Sequence, residues 1–282
     1  MTASRPPVDV LGAVRDRVDA VLREVLVERR AALAALEPDA AVLVDEVARL
    51  VAAGGKRLRP GFCVLGYRAG GGDAAAPAIW RAAASLELFH TFALVHDDVI
   101  DDAAERRGAP TTTTAFGGGD RGRAVAILVG DLAAELAAHL LRTSGFPAER
   151  LTAATARYDA MVLALAAGQF LDLDPSSRAS LAASLRVARL KSGAYSVEGP
   201  LAIGAALAGA TPEVEASLAA YGRALGEAFQ LRDDLHDGDA APDVDPTDVD
   251  SRIDVACAAL GSVPGDVAAD LRAVATMLRM AA

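Results

Sequence analysis

The chain is long enough for one large aliphatic core, and it carries a marked negative charge. It has 282 residues, of which 52% are hydrophobic and only 4% aromatic, and its formal net charge is -10. This charge argues against a nucleic-acid or anionic-membrane partner, although local cations can still hold an anionic substrate. The two cysteines, Cys63 and Cys257, are too few for a disulfide framework and predict free thiols in a reducing cytoplasm.

The hydrophobic pattern is helical from the first segments onward. Apolar residues recur at helical spacing over residues 8–30 and 40–53, and alternating β-branched strands are absent from the sequence. Glycine and proline clusters separate about ten or more helices, with neither a long linker nor a fixed repeat between them. The sequence therefore predicts an all-α bundle that forms a single domain over residues 1–282.

A basic stretch follows the second helix. Residues 54–60 read GGKRLRP, so two glycines end one helix and Pro60 falls in the first turn of the next. The cations of Lys56, Arg57 and Arg59, beside exposed backbone N–H groups, favour a diphosphate-binding cluster. A basic loop between two helices is the alternative.

The next helix ends in an acidic cluster, HDDVIDD over residues 96–102. Its pattern D-D-x-x-D directs carboxylates from consecutive turns toward one point. His90 lies two helical turns before the cluster on the same face and is a candidate phosphate ligand, whereas His96 is interpreted as a core residue. Arg106 and Arg107 follow, and either bind two different anions or stabilise a helix C-terminus.

The apolar stretch over residues 124–141 is interpreted as a core helix. It carries Asp131 and Glu135 and is expected to stop short of a bilayer span, so no stable membrane insertion is predicted. Further along, Lys191 and Ser192 form a second candidate phosphate site.

A second D-D-x-x-D pattern lies at 233–237, and Gln230 stands one turn before it. Carboxylates repel one another unless a cation lies between them, and hard oxygen ligands favour Mg²⁺ shared with substrate phosphates. The two acidic faces are expected on opposite walls of one central cavity. Together with the cations they predict two bound diphosphates, as cleavage of an allylic diphosphate in an apolar pocket requires.

With these motifs in place, the sequence resembles the trans-isoprenyl diphosphate synthases, the polyprenyl synthetase family of farnesyl and geranylgeranyl diphosphate synthases. The resemblance covers most of residues 50–237. The matching stretches are GGKRLRP (54–60), ELFHTFALVHDDVIDDAAERRGAPT (87–111), AILVGDL (126–132), GQFLDL (168–173), KSGAYSVEGPLAIGAALAG (191–209) and FQLRDD (229–234).

The resemblance implies a magnesium-dependent transferase that condenses isopentenyl diphosphate with an allylic diphosphate, acts as a homodimer and needs no protein nucleophile. It implies Mg²⁺ ligands in both acidic clusters, with three ions per site when substrate is bound: Asp97, Asp98, Asp101, Asp233, Asp234 and Asp237. It implies an isopentenyl diphosphate site formed by Lys56, Arg57, His90 and Arg107. It implies an allylic diphosphate site formed by Arg106, Lys191, Ser192 and Gln230.

Product length in this family is set beneath the first acidic cluster. Phe89 and Phe92 are expected to form the floor of the pocket, and Ala93 leaves space between them. We therefore predict a short-chain product of C15–C20.

The chain departs from the family pattern after Asp237. The segment 238–254 is predicted to be an exposed acidic loop, and it holds no lysine where the family has a lysine-bearing lid. This departure keeps open a non-catalytic or partner-dependent subunit of a prenyltransferase. A class I terpene cyclase is the other alternative, although it has little use for the GGKRLRP stretch.

Overall fold

Helices account for nearly all of the regular structure. The computed structural model describes residues 7–238 and 240–279. Over these residues the protein contains twelve α-helices, three short 3-10 segments, one π-helical segment and one hairpin of two-residue strands. The α-helices are α1 Pro7–Leu36, α2 Ala41–Ala52, α3 Leu58–Ala69, α4 Pro77–Ile100, α5 Thr112–Ala115, α6 Gly119–Arg142, α7 Ala148–Asp172, α8 Leu181–Ala188, α9 Gly199–Ala208, α10 Pro212–Asp237, α11 Pro246–Ala258 and α12 Gly265–Thr276. The 3-10 segments are Pro38–Ala40, Pro175–Arg178 and Leu260–Ser262, the π-helical segment is Arg189–Glu198, and the strands are β1 Glu105–Arg106 and β2 Ala109–Pro110. The all-α prediction is confirmed.

The described chain divides into two compact units. The N-terminal unit comprises residues 13–60 and 80–145. The C-terminal unit comprises residues 7–12 and 61–79 together with the described residues from 146 to 279. The prediction of one domain with a central cavity stays a prediction.

In the N-terminal unit, the apolar residues predicted at helical spacing form the buried face of α1. Val14, Val18, Leu22 and Leu26 recur every fourth residue and are all buried. Small side chains are frequent elsewhere in this core, since several alanines of α4 and α6 are completely buried. Short side chains let helix backbones approach closely, which compensates for the scarcity of aromatic residues.

The C-terminal unit contains backbone-to-backbone contacts that only glycine permits. A Cβ on Gly204 of α9 would lie 1.9 Å from the carbonyl oxygen of Cys63 in α3. A Cβ on Gly226 of α10 would lie 2.2 Å from Cα of Gly193 in the π-helical segment. The second crossing holds two predicted site segments against each other.

The segment 238–254 was expected to be a loop, and this is wrong for its second half. Residue 239 lies outside the described residues, while α11 begins at Pro246. Asp245 caps this helix through a reciprocal capping box with Asp248, and proline at the first helical position is already in a helical conformation. Aspartate and proline favour loops in general, but in this order they are helix-start signals.

Helix α6 has 24 residues and is longer than the apolar stretch 124–141 expected from the sequence. Among the described helices it alone is long and apolar enough, by length and composition, to cross a membrane. A single such helix is weak support for a span, because buried core helices meet the same criterion. Its Val129, Ala133 and Leu140 are fully buried.

Candidate active site

The first acidic cluster lies at the C-terminal end of α4. Asp97 and Asp98 are in the last turn of the helix, and Asp101 is the first residue beyond it. The amide of Asp101 still donates to the carbonyl oxygen of Asp97 at 2.9 Å, so the helical spacing extends through all three residues. Asp98 is buried, whereas Asp101 is exposed.

A tight hairpin places Arg106 over this cluster. Strands β1 and β2 pair antiparallel, and Arg107 and Gly108 at the turn both have positive φ, 55° and 75°. These are the torsions of a two-residue hairpin turn. The arginines therefore belong to a hairpin and not to the helix end considered from sequence.

Arg106 binds both aspartates of the last helical turn. Its Nε donates to Asp98 Oδ1 at 2.7 Å, and its Nη2 donates to Asp97 Oδ2 at 2.9 Å. Burial raises the pKa of Asp98, Arg106 opposes that rise, and the neighbouring charges of Asp97 and Asp101 add to it. Negative charge is thus concentrated where a further cation would be stabilised.

Arg57 lies in the N-terminal unit, and its side chain is buried among interior partners. It is 5% exposed, and its three guanidinium nitrogens donate to Asp19, Glu87 and the carbonyl oxygen of Val51, each at 2.8 Å. Its φ of 51° is in the left-handed region that non-glycine residues rarely adopt, and these contacts stabilise it there. These contacts favour a structural role for Arg57, and its predicted role as a diphosphate ligand stays a prediction.

Arg59 belongs to the predicted basic cluster, although the resemblance assigned it no role of its own. The pKa of His90 is lowered well below 6.5, first by burial and then by the positive charges of Arg59, Arg107, Arg106 and Arg57. The influence of Arg59 on His90 exceeds that of the other three arginines. Its place in GGKRLRP, three residues after the exposed Lys56, was the available signal.

The second acidic cluster lies on the last turns of α10 in the C-terminal unit. Gln230 donates through Nε2 to Asp234 Oδ1 at 2.6 Å, and the Ser192 hydroxyl donates to Gln230 Oε1. Asp234 is buried, while Asp237 is exposed. The structure thus brings together the predicted Ser192, Gln230 and Asp234 in one hydrogen-bonded chain.

Lys191 forms an ion pair with a residue of α7, which its sequence neighbours do not indicate. Its Nζ donates to Asp172 Oδ2 at 2.6 Å, at the end of α7. Close packing sets this position, because a Cβ on Gly168 would lie 2.3 Å from the backbone nitrogen of Lys191. Gly168 and Asp172 belong to the stretch GQFLDL, which carried the resemblance without an assigned role.

Asp233 differs from Asp234 in its surroundings. It accepts a hydrogen bond from Arg232 Nη2 at 3.2 Å, and Arg232 also lies over the ring of Phe229 at 5.4 Å. Burial raises the pKa of Asp233, Arg232 opposes that rise, and the charge of Asp237 adds to it. As in the first cluster, the carboxylates are crowded and partly desolvated.

Both clusters fit a hard divalent cation that is completed by a substrate. Across the described parts of the chain, no group of three or more His, Cys, Asp or Glu side chains converges tightly enough to enclose a metal ion. Mg²⁺ is usually held by one or two carboxylates plus substrate phosphates, so a complete protein cage is not required. The oxygen-only donors and the unfavourable charge at Asp98 and Asp233 match that chemistry.

The predicted chain-length residues lie on α4 in the N-terminal unit. The rings of Phe89 and Phe92 are 5.3 Å apart, and Phe92 packs edge-on against His96 at 4.8 Å. Phe89 is buried, while Phe92 and Ala93 are half-buried. The His96 ring in turn occupies space beside Gly130 of α6, in agreement with its packing role.

The predicted allylic-site residues are distributed over both units. Arg106 lies in the N-terminal unit, whereas Lys191, Ser192 and Gln230 lie in the C-terminal unit. The predicted isopentenyl-site residues all lie in the N-terminal unit.

Comparison with known proteins agrees with the motifs. A family model described as polyprenyl synthetase matches residues 41–246. The chain belongs to the polyprenyl synthetase family. Two family members of known function are each 37% identical to it: the geranylfarnesyl diphosphate synthase of Aeropyrum pernix over 191 residues, and the octaprenyl diphosphate synthase of Escherichia coli over 193 residues.

These alignments cover 66% and 68% of this chain, but only 58% and 56% of the two relatives. The chain therefore spans less than two thirds of their length. Among solved structures, the geranylgeranyl pyrophosphate synthase of Corynebacterium glutamicum, in complex with isoprenyl diphosphate and magnesium, has a TM-score of 0.84 and 27% identity. That match covers 96% of this chain and 98% of that one.

Proposed function

We propose that the protein is a prenyl diphosphate synthase that condenses isopentenyl diphosphate with an allylic diphosphate. The proposal rests on the hydrogen bonds that Arg106 donates to Asp97 and Asp98, at 2.9 and 2.7 Å. They use two nitrogens of the guanidinium, and the remaining N–H groups can bind a diphosphate oxygen. Cation and carboxylates are thus held ready at one place for a metal–diphosphate complex.

The diphosphate of the allylic substrate is proposed to bind to Lys191, Ser192 and Gln230, and Arg106 at the first acidic cluster is proposed as a further diphosphate ligand. The C–O bond of this substrate breaks, and pyrophosphate leaves with the bonding electrons. Fixed cations near the leaving oxygens stabilise the charge that develops there. Mg²⁺, with three ions expected per site and both acidic clusters as ligands, would supply further neutralisation of pyrophosphate. The magnesium in the cited geranylgeranyl pyrophosphate synthase structure supports this choice of cation.

Isopentenyl diphosphate is proposed to bind beside His90, through Lys56, Arg59 and Arg107. The low pKa of His90 leaves its imidazole neutral near pH 7, so the ring contacts phosphate through a hydrogen bond and not through charge. The double bond attacks the allylic carbon, a new C–C bond forms, and a proton passes to the departing pyrophosphate. No protein nucleophile takes part.

The test is an incubation of the pure protein with isopentenyl diphosphate, C5–C15 allylic diphosphates and Mg²⁺, followed by product analysis. Asp97→Asn and Asp233→Asn are each expected to lower kcat by about 10²–10³. Asp120→Asn is the control, because its side chain is 99% exposed on the first turn of α6. Hydrocarbon or alcohol products would instead identify a cyclase, and activity that requires a second chain would identify a subunit.

We further propose a short product of C15–C20, supported by the contact between Phe89 and Phe92. The two relatives are named for different products, so their names do not indicate the product length of this chain. Phe92→Ala is expected to yield longer products, whereas Phe170→Ala on α7, where the side chain is 74% exposed, is expected to leave length unchanged. Unchanged product length in Phe92→Ala would overturn this assignment.

A cytoplasmic homodimer completes the proposal. Both cysteines are free thiols, as expected in a reducing compartment. Ile127 and Leu128 on α6 are about half exposed, which is unusual for large apolar side chains and is compatible with an interface. Light scattering is expected to give twice the chain mass, and Leu128→Glu is expected to give the monomer; a monomeric wild-type protein would exclude this arrangement.

A further inference from the structure

A buried carboxylate in the C-terminal unit joins three helical segments. Glu227 of α10 is only 2% exposed. Arg189, which opens the π-helical segment, donates through Nε and Nη2 to Glu227 Oε1 at 3.0 and 2.7 Å. Arg252 of α11 reaches Oε2 of the same carboxylate at 3.3 Å. A carboxylate so thoroughly removed from water is retained only with charged partners of this kind.

The position of Glu227 relates it to the proposed allylic diphosphate site. Glu227 follows Gly226, where the π-helical segment touches α10 most closely, and it precedes Gln230 by three residues. Arg189 lies two residues before Lys191. The Glu227–Arg189 contact therefore acts on the segment that carries Lys191 and on the helix that carries Gln230.

The π-helical segment needs such support. It runs for ten residues, Arg189–Glu198, whereas π-helical geometry is usually limited to single turns and is often associated with functional sites. It continues directly from α8, because Ala188 before it is in the right-handed helical conformation. A two-nitrogen contact from Arg189 to a buried carboxylate sets the position of its first turn.

Arg252 connects the same carboxylate to the lysine-free segment. Arg252 is the only cation among residues 238–254. The segment is attached at other points as well, because Asp243 accepts a hydrogen bond from the amide of Leu181 at 2.6 Å and Ala241 is buried. The stretch from 240 onward is therefore anchored to α8 and α10.

We infer that Glu227 is a positioning residue, which holds Lys191 and Ser192 in register with Gln230 through Arg189 and fixes the lysine-free segment through Arg252. The inference rests on the proposed function, since it concerns the allylic diphosphate site. Glu227 is assigned no direct contact with either substrate. Its effect is on the placement of the groups that are assigned such contacts.

The experiment compares Glu227→Gln, Arg252→Gln and Arg252→Lys with the wild-type chain. The control is Glu215→Gln, which removes another carboxylate of α10, paired with Arg157 at 2.8 Å. Steady-state kinetics give KM for each diphosphate and kcat, and calorimetry gives the Kd of inorganic pyrophosphate with Mg²⁺. Thermal unfolding identifies any variant that fails to fold. If Glu227→Gln fails to fold, the comparison of Arg252→Gln with Arg252→Lys decides the inference.

Glu227→Gln is expected to raise KM for the allylic diphosphate, and Kd for pyrophosphate, by between about 2-fold and 30-fold. KM for isopentenyl diphosphate is expected to stay constant. Arg252→Lys is expected to restore most of the affinity for the allylic diphosphate and pyrophosphate that Arg252→Gln loses, because a positive charge again balances Glu227. Glu215→Gln is expected to match the wild type.

Equal changes in both KM values, or none, would overturn the inference while leaving the proposed function intact. If the wild-type chain shows no turnover, the proposed function fails and the pyrophosphate Kd values decide the inference alone. Pyrophosphate affinities that are unaltered in Glu227→Gln, or undetectable in the wild type, would overturn it.

Discussion

Replacing Arg57 by methionine tests the structural role that the structure assigns to this residue. The substitution keeps an unbranched side chain of similar length, but it removes the positive charge and all three donated hydrogen bonds. Glu87, whose side chain is 7% exposed, then loses its cation, and Asp19, at 28%, loses one as well. The backbone at residue 57 also keeps its unfavourable positive φ without the contacts that stabilise it.

The expected cost follows from the burial of the pair. Removing one partner of a buried ion pair destabilises a protein by about 3–5 kcal/mol, because the remaining charge is left unpaired in the interior. Glu87 meets that condition, while Asp19 is partly hydrated and adds little. For a chain of this size, we expect Tm to fall by roughly 6–20 °C.

Urea unfolding, followed by far-UV circular dichroism, measures the change in the free energy of unfolding. The control is Arg30→Met in the same unit, whose ion pair with Asp45 lies at the surface and is expected to contribute little. The double variant Arg57→Met/Glu87→Gln should be less destabilised than the two single changes added together. A loss below about 1 kcal/mol in Arg57→Met, combined with a raised KM for isopentenyl diphosphate, would refute the reasoning and restore the direct ligand role.

Three further outcomes follow from the packing and the shifted pKa values. Gly226→Ala is expected to destabilise the fold by about 1–3 kcal/mol in urea unfolding, because its Cβ would lie 2.2 Å from Gly193 Cα; a neutral effect would contradict the close crossing. The pKa of His90 is lowered in the folded state, so below pH 6.5 the unfolded chain binds more protons than the folded chain. The contribution of His90 to stability should therefore be fully present above pH 6.5 and decline as the pH falls below it. His90→Gln should reduce that decline when Tm is measured against pH. Burial raises the pKa of Cys63 to about 12, so mass spectrometry after iodoacetamide treatment at pH 8 should find Cys63 unmodified in the native protein and alkylated in urea, while the half-buried Cys257 reacts first. Rapid native labelling of Cys63 would show that α3 is not packed as described.

The acidic clusters show how far local spacing leads. D-D-x-x-D on a helix is enough to predict carboxylates on a common face, because the helical repeat alone sets their direction. The same spacing placed Gln230 one turn from Asp234, and the structure joins them by a hydrogen bond of 2.6 Å. Predictions of this kind need no knowledge of which other elements lie nearby.

The basic residues show what local spacing cannot predict. Lys56, Arg57 and Arg59 are almost adjacent in the sequence, and nothing in their order distinguishes a ligand from an internal ion pair. The distinction depends on Asp19 and Glu87, which are 38 and 30 residues away from Arg57 along the chain. The same holds for the Arg106 hairpin, whose torsions at Arg107 were not visible in a stretch interpreted as a helix end.

The order of residues therefore determined the helical class, the carboxylate spacing of the two acidic clusters and the family, because each depends on periodicity or on the chemistry of neighbouring side chains. Only the tertiary structure decided that Arg57 is internal, that Lys191 pairs with Asp172, and that Glu227 joins Arg189 to Arg252. A charged side chain takes its role from what removes it from water and what neutralises it there. Those partners come from distant parts of the chain, and folding alone brings them together.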